Sequence, residues 1–330
     1  KTYMYDKTIA EKYSDPEISA DRIEEYIKNV LTLEAVACKD WLTNKVDRSV
    51  TGKIARQQCQ GELQLPLSDC GAVALDYRGK SGIATSIGHA PQVALIDSAA
   101  GSVLAIAESL TNIVFAPLKN GIDSVSLSAN WMWPCKNEGE DARLYKAVEA
   151  CSDFACGLGI NIPTGKDSLS MTQKYGQDKV YAPGTVIISA AGEVSDIRKI
   201  VGPVLINDSE AAIYHIDFSF SSLQLGGSAL YQTLNKVGSV CPNVNDTEYF
   251  ASAFNAVQKL VEEGLILAGH DVSAGGMLTA LLEMCFANTK GGLKVDLSGF
   301  AQEDVVKILF AENPSVLVQI KDIKSAEKIL

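Results

Sequence analysis

Long apolar runs are missing from this chain. None reaches the roughly 18–20 residues that a membrane-spanning helix needs, and the first residues are charged and polar where a secretory signal would be apolar. Basic clusters are missing too: no more than two cationic residues are adjacent, and 29 Lys and Arg against 40 Asp and Glu give a formal charge of −11. Nucleic acid and anionic membrane are excluded as partners, because both are recognised through grouped cations. The eight cysteines form no C-x-x-C pair, which argues against a zinc site or a disulfide framework and predicts reduced, mostly buried thiols. Histidine is scarce, only His89, His215 and His270, and no Ser-His-Asp or Cys-His constellation can be assembled from them. Neither the dinucleotide pattern G-x-G-x-x-G nor the P-loop pattern occurs. The expectation is a soluble, cytoplasmic chain.

What is present is interleaved helix and strand patterning, the signature of an α+β protein with mixed sheets. At about 150 residues per domain the 330 residues suggest two domains, each with a core of its own. Helical spacing over residues 17–37, with Ser19 or Asp21 to cap it, defines a linker helix within residues 1–37. Residues 38–196 form a first domain, with strands between 63 and 90, helices at 96–116 and 140–157, and strands at 127–129, 169–174 and 184–194. Residues 197–330 form a second, with strands at 211–217, before Asp271, at 293–297 and at 315–320. Its helices fall near 223–237, 246–263, 274–288 and 303–311. A start at Lys1 and an end at Leu330 inside a helical pattern read as a piece of a longer protein.

Three acidic segments stand out. Asp69 follows an apolar stretch, Asp271 follows Leu265-Ile266-Leu267-Ala268, and Glu108 and Asn112 sit four apart on one helix face. An all-oxygen set of this kind suits a hard cation, with Mg2+ carrying phosphate as the natural choice; caps and solvated charges are the competing account. Ser273 is placed to cap the helix after it. Gly275-Gly276 costs about 1 kcal/mol per residue in a helix, which favours a ligand approaching its N–H groups, and Gly226-Gly227 makes a weaker version of the same case. Lys166-Asp167-Ser168, in a Pro-Thr-Gly-Lys-Asp-Ser loop, mixes cation, acceptor and hydroxyl in a way that suits a phosphorylated substrate or a plain turn.

Seven segments in order carry a resemblance: Asp47 to Gly52, Ala55 to Gln58, Leu65 to Cys70, Glu108 to Ile113, Leu127 to Met132, Pro163 to Met171, and His270 to Gly276. From about Leu33 onward the chain resembles the second half of the synthetase core of the phosphoribosylformylglycinamidine synthase family. That family lies in a superfamily with aminoimidazole ribonucleotide synthetase. The resemblance implies an N-terminal four-stranded sheet that closes a barrel with its counterpart from the missing first half, and a C-terminal α/β sandwich-like domain beside it. It implies ATP or ADP with Mg2+ as cofactors, metal ligands Asp69, Glu108, Asn112 and Asp271, nucleotide contacts at Lys39, Gln58, Ser68 and Ser273, and Lys166, Asp167 and Ser168 at the substrate cleft. The implied reaction converts formylglycinamide ribonucleotide, glutamine and ATP to the amidine. The glutaminase domain with its cysteine and the segment with the synthetase's catalytic histidine would be partners outside this chain. The family has two pseudo-equivalent nucleotide sites, one of them structural, and the residues here match the structural one, so the fragment is expected to bind rather than turn over and to form a homodimer. Two alternatives stay open: a purely structural nucleotide-binding half, or another enzyme of the superfamily, such as a thiamine-phosphate kinase or selenophosphate synthetase.

Overall fold

A computed structural model describes residues 13–43, 48, 52–300 and 304–330. Of the Asp47–Gly52 segment, Asp47, Ser49, Val50 and Thr51 lie outside the described residues. The strands are β1 (Ile54–Arg56), β2 (Cys59–Gln60), β3 (Leu65–Pro66), β4 (Gly71–Ala74), β5 (Gly82–His89), β6 (Ser126–Met132), β7 (Asn161–Ser168), β8 (Thr172–Tyr175), β9 (Asp178–Tyr181), β10 (Thr185–Val194), β11 (Ala212–Asp217), β12 (Ile266–Asp271) and β13 (Ser315–Ile320). The helices are α1 (Ile23–Thr32), α2 (Asp40–Thr43), α3 (Pro91–Ile96), α4 (Ser98–Ile113), α5 (Glu140–Gly157), α6 (Ala229–Thr233), α7 (Thr247–Glu263), α8 (Gly276–Phe286), α9 (Val305–Phe310) and α10 (Ile323–Ala326).

The first unit is built on a six-stranded sheet, order β1-β4-β5-β10-β6-β7, not the four strands expected. The four central members are antiparallel; β1 adds antiparallel at one edge and β7 parallel at the other. No closed barrel forms among the described residues. Strand β5 alternates strictly between buried and exposed positions, so one face of the sheet is covered and the other is open. On the covered face lies α4, buried nearly all round and capped by Asp97, whose carboxylate accepts from the N–H groups of Ala99 and Ala100. The helix sits so close that a Cβ on Gly88 would stand 2.2 Å from the Ala105 carbonyl oxygen. Ile83 and Ile87 point the other way and are 39% and 58% exposed.

In the second unit a three-stranded antiparallel sheet, β11-β13-β12, has both faces covered. Tyr214, Ile216, Val316, Val318 and Ile320 join a core that includes α4 and α7, whereas Ala268, Ile213 and Leu317 pack with α8. The largest core therefore spans both units rather than splitting into two. Helix α7 shows why: Asp246 caps its start, Gly264 in the left-handed conformation ends it, and its apolar face buries Phe250, Phe254 and Leu260. The buried Gln258 of α7 donates to the carbonyls of Val114 (2.6 Å) and Ala116 (2.8 Å) and accepts from the Leu118 N–H (2.8 Å), satisfying the frayed end of α4. Linker helix α1 packs on the second unit through Tyr26 and Val30, with Tyr26 edge-on to Phe310 at 6.2 Å; its cluster contains nothing from the open sheet face.

Several expectations are corrected. Pro163–Ser168 is strand, not loop. Residues 293–297 form no strand, and the helix expected near 223–237 shrinks to α6. All eight cysteines are free, but only Cys59, Cys70 and Cys151 are buried, and Cys38 and Cys156 are exposed. No helix among the described residues is long and apolar enough to cross a membrane.

Candidate functional site

Asp271 is the last residue of β12, and Asp69 lies in the turn between β3 and β4. The fold brings both to the Nδ1 side of His270, with Glu283 on the other side of the ring. The imidazole Nδ1 is 2.6 Å from Asp69 Oδ1 and 3.7 Å from Asp271 Oδ1, and Nε2 is 3.0 Å from Glu283 Oε2 on α8. The Asp69, His270 and Asp271 side chains are only 5–7% exposed. Dehydration raises both aspartates above the usual carboxylate range, Asp271 well above it, where the neighbouring Asp69, Glu108 and Glu283 charges add to the effect. Burial works against an imidazolium at His270, but the charges and hydrogen bonds of Asp69, Glu283 and Asp271 outweigh it and hold the ring well above its ordinary value. Asp271 Oδ2 is buried with no hydrogen-bond partner among the described residues.

Glu108 and Asn112 do share a face of α4, the one against β5. Glu108 Oε2 accepts the His89 N–H at 2.8 Å and Asn112 Nδ2 donates to the Ile87 carbonyl at 3.2 Å. Burial raises Glu108 to about 7. Beyond it lies Glu312, also raised to about 7 by burial; one oxygen accepts both the Ala229 N–H at the start of α6 (2.8 Å) and the Gly275 N–H before α8 (2.7 Å). Two cavities meet this acidic cluster. One of about 240 Å3 is lined by His89, Glu108, Ser273 and Glu312. The other, about 760 Å3, runs onto the open face of the first sheet past Arg56, Gln58, Ser68 and Asp69.

Asp69 and Asp271 thus come together with His270, Glu108 lies within electrostatic reach of Asp271, and Asn112 is one turn further along α4. Gln58 lines the larger cavity, and its side-chain Nε2 is buried without a partner among the described residues. Ser68 lines it as well, although its hydroxyl donates to the Cys70 carbonyl at 3.0 Å. Ser273 reaches the smaller cavity but does not cap α8: Gly275 occupies the cap position, and Ser273 offers only its carbonyl, to the Gly276 N–H. The paired glycines there answer to backbone geometry, since both have positive φ and a Cβ on Gly276 would lie 2.7 Å from the Phe310 backbone. Gly226-Gly227 is explained the same way, Gly226 lying against the Val240 carbonyl. Lys39 turns back to the carbonyls of Glu34 and Ala37, both at 2.5 Å. Lys166 donates to Ser168 Oγ at 2.5 Å on an exposed strand, and neither they nor Asp167 line the two cavities. Sequence reasoning missed Glu283 and Glu312, and it treated His270 only as a neighbour. A signal existed for Glu283, the sole charged side chain in the apolar run of α8.

Residues 38–193 match the family described as the FGAR-AT PurM_N-like domain, and residues 218–330 match the AIR synthase related protein, C-terminal domain. Phosphoribosylformylglycinamidine synthase of Homo sapiens is 41% identical over 301 residues, covering 91% of this chain and 22% of that protein. Its Drosophila melanogaster namesake is 43% identical over 279 residues, 84% of this chain and 20% of that one. The chain thus spans about a fifth of the length of the curated relatives it matches. Among solved structures, Thermotoga maritima PurL complexed with FGAR superposes with a TM-score of 0.59 at 18% identity, over 80% of this chain and 41% of that chain. PurLQS from the same organism gives 0.60 at 14% identity, over 95% and 45%. These likenesses establish the mixed α+β fold of the AIR-synthase-related class. Within that class the chain belongs to the phosphoribosylformylglycinamidine synthase family.

Proposed function

We propose that the chain is the second half of the synthetase core of a phosphoribosylformylglycinamidine synthase, in which it holds a Mg2+-bound adenine nucleotide. The whole protein would use ATP and glutamine to convert formylglycinamide ribonucleotide to the amidine. The observation that carries this reading is Asp271 Oδ2, a buried carboxylate oxygen without a partner, set beside Asp69 and within electrostatic reach of Glu108. A hard divalent cation is the group that such oxygens accept. Asp69, Glu108, Asn112 and Asp271 would hold it, and it would neutralise phosphate oxygens. Gln58, with its unpartnered amide, would face the base, and Ser68 and Ser273 would line the nucleotide's path. Lys39 would have to give up its two carbonyl partners to reach a phosphate. Lys166, Asp167 and Ser168 would serve the substrate side of the whole protein.

The reading favours binding over turnover. Clamped between carboxylates, His270 is a fixed cation and not a free base. Calorimetric titration with ATP in the presence and absence of Mg2+ tests it: Mg2+-dependent binding is expected, and at a hundred times Kd it should add about 2.7 kcal/mol of stability. Asp271→Ala should weaken that binding by about a hundredfold or more while leaving the fold intact. A melting curve indifferent to Mg-ATP would defeat the proposal.

The open sheet face belongs to the same reading. It carries Ile83 and Ile87, the linker helix packs elsewhere, and in the whole protein the first half would cover it to close the barrel. Alone, the chain should cover it with a second copy, in a two-fold interface. Sedimentation at micromolar concentration should give a dimer, and Ile87→Asp should give a monomer; a monomeric parent chain would overturn this part.

A further inference from the structure

A third cavity, of about 680 Å3, lies in the second unit on the α8 side of its sheet. Its size falls within the range of about 300–1,000 Å3 typical of small-molecule sites. Ile213, His215 and Leu317 floor it, and Met277, Leu281 and Cys285, spaced four apart on α8, form one wall. Glu283 of the same helix turns to His270 instead, so the cavity and the carboxylate cluster are served by different sides of α8. The other wall is an irregular segment, residues 290–297 with Phe300, of which the sequence marks 293–297 as a strand; Phe300 packs against His215 at 5.5 Å between ring centres.

The lining has two chemical parts. The wall and floor are apolar except for Gln319, whose amide is spent on the Ile206 backbone, and His215, whose ring nitrogens have no hydrogen-bond partner among the described residues. The rim carries four charges. Asp208 is paired with Lys321 at 2.8 Å, and Asp296 accepts the Ser298 N–H at 2.9 Å. Lys290 and Lys294 have no partner among the described residues, in a chain whose net charge is −11. Two uncommitted ammonium groups over an apolar, aromatic-edged cavity suit one class of ligand.

We propose that this cavity is a second binding site, independent of the nucleotide site, for an amphipathic organic anion: a flat apolar or aromatic body between α8 and the sheet, its acidic group toward Lys290 and Lys294 and a polar edge toward His215.

Anilinonaphthalene sulfonate has this chemistry and serves as the probe. A fluorescence titration of the whole chain should show one saturable site that Mg-ATP does not displace. Lys290→Glu with Lys294→Glu should weaken it about tenfold by placing like charge against the sulfonate. Leu281→Trp, which fills the cavity, should abolish it. The dye should also slow alkylation of Cys285, mapped by mass spectrometry, and leave exposed Cys38 and Cys156 unaffected. Should the tryptophan variant fail to fold, the charge reversal and the Cys285 footprint still decide. Dye that Mg-ATP displaces, that binds both lysine-reversed and parent chains equally, or that leaves Cys285 as reactive as before would overturn the proposal.

Discussion

The cluster around His270 and the strand Asn161–Ser168 carry the same kinds of side chain, carboxylate, cation and hydroxyl, and the chain treats them in opposite ways. At the cluster, α4, α8 and two sheets close over Asp69, His270 and Asp271, leave one carboxylate oxygen without a partner, and push several acids upward. On β7, Lys166 and Asp167 stand in water, and Lys166 satisfies itself on Ser168. A motif rich in functional groups becomes a reactive site only where the fold withholds both water and partners.

The largest effect should be a reversal of the usual acid sensitivity. Glu108 and Glu312 are raised from 4.5 to about 7. A group with a raised folded pKa binds more protons folded than unfolded, so the stability it contributes is complete below the unfolded pKa and is lost as pH rises through the folded one. Asp69, Asp271 and His270 are raised too and act in the same sense. Metal-free protein should therefore lose stability as pH rises from about 4.5 to 7. The loss is at most about 3 kcal/mol for each glutamate, and less in practice because both line a cavity. Mg2+ should flatten the profile by occupying the ionised carboxylates. Melting at stepped pH in chelator and in Mg2+ reads both; a metal-free profile that rises toward pH 7 would place these acids in water, like those of β7.

Glu312 gives the next test, because one of its oxygens holds two backbone N–H groups. Glu312→Gln keeps an acceptor there and removes the charge, so stability near pH 7 should stay within about 1 kcal/mol of the parent and the pH slope should shallow. Glu312→Ala leaves the N–H groups of Ala229 and Gly275 unsatisfied, at about 1–3 kcal/mol each. Denaturant unfolding of the pair separates hydrogen bonding from charge. Equal losses in both variants would mean that the charge itself is needed.

How far the sequence foretells each region follows from what holds it. Helices α5 and α7 and strand β13 are legible to within a residue or so, because periodicity and caps such as Asp246 and Gly264 are local. Strand β7 is misread because Pro163 and Gly165 signal a turn. Its reason is tertiary: it runs parallel to β6 at the sheet edge, and a Cβ on Gly165 would stand 2.2 Å from the Ala129 carbonyl. Leu293 to Leu297 errs the other way, alternating like a strand but finding no strand to pair with among the described residues. At the candidate site, Asp69, Glu108 and Asp271 stand out in the sequence as acids at element ends and on a helix face. Glu312 does not, because its role is set by two N–H groups brought to it from 83 and 37 residues away.

The smallest effect belongs to β7 and is the most direct check on the contrast. Lys166→Ala removes an exposed ammonium whose one recorded bond is to Ser168, two residues along the same edge strand. Exposed changes of this kind usually stay within about 0.5 kcal/mol, and the strand's pairing with β6 is carried by backbone. Mg-nucleotide affinity should therefore hold to within about twofold of the parent, since the side chain borders neither cavity at the cluster. A large loss of nucleotide affinity in the isolated chain would show that β7 reaches the site after all, and the division drawn between a dehydrated cluster and a solvated strand would fall.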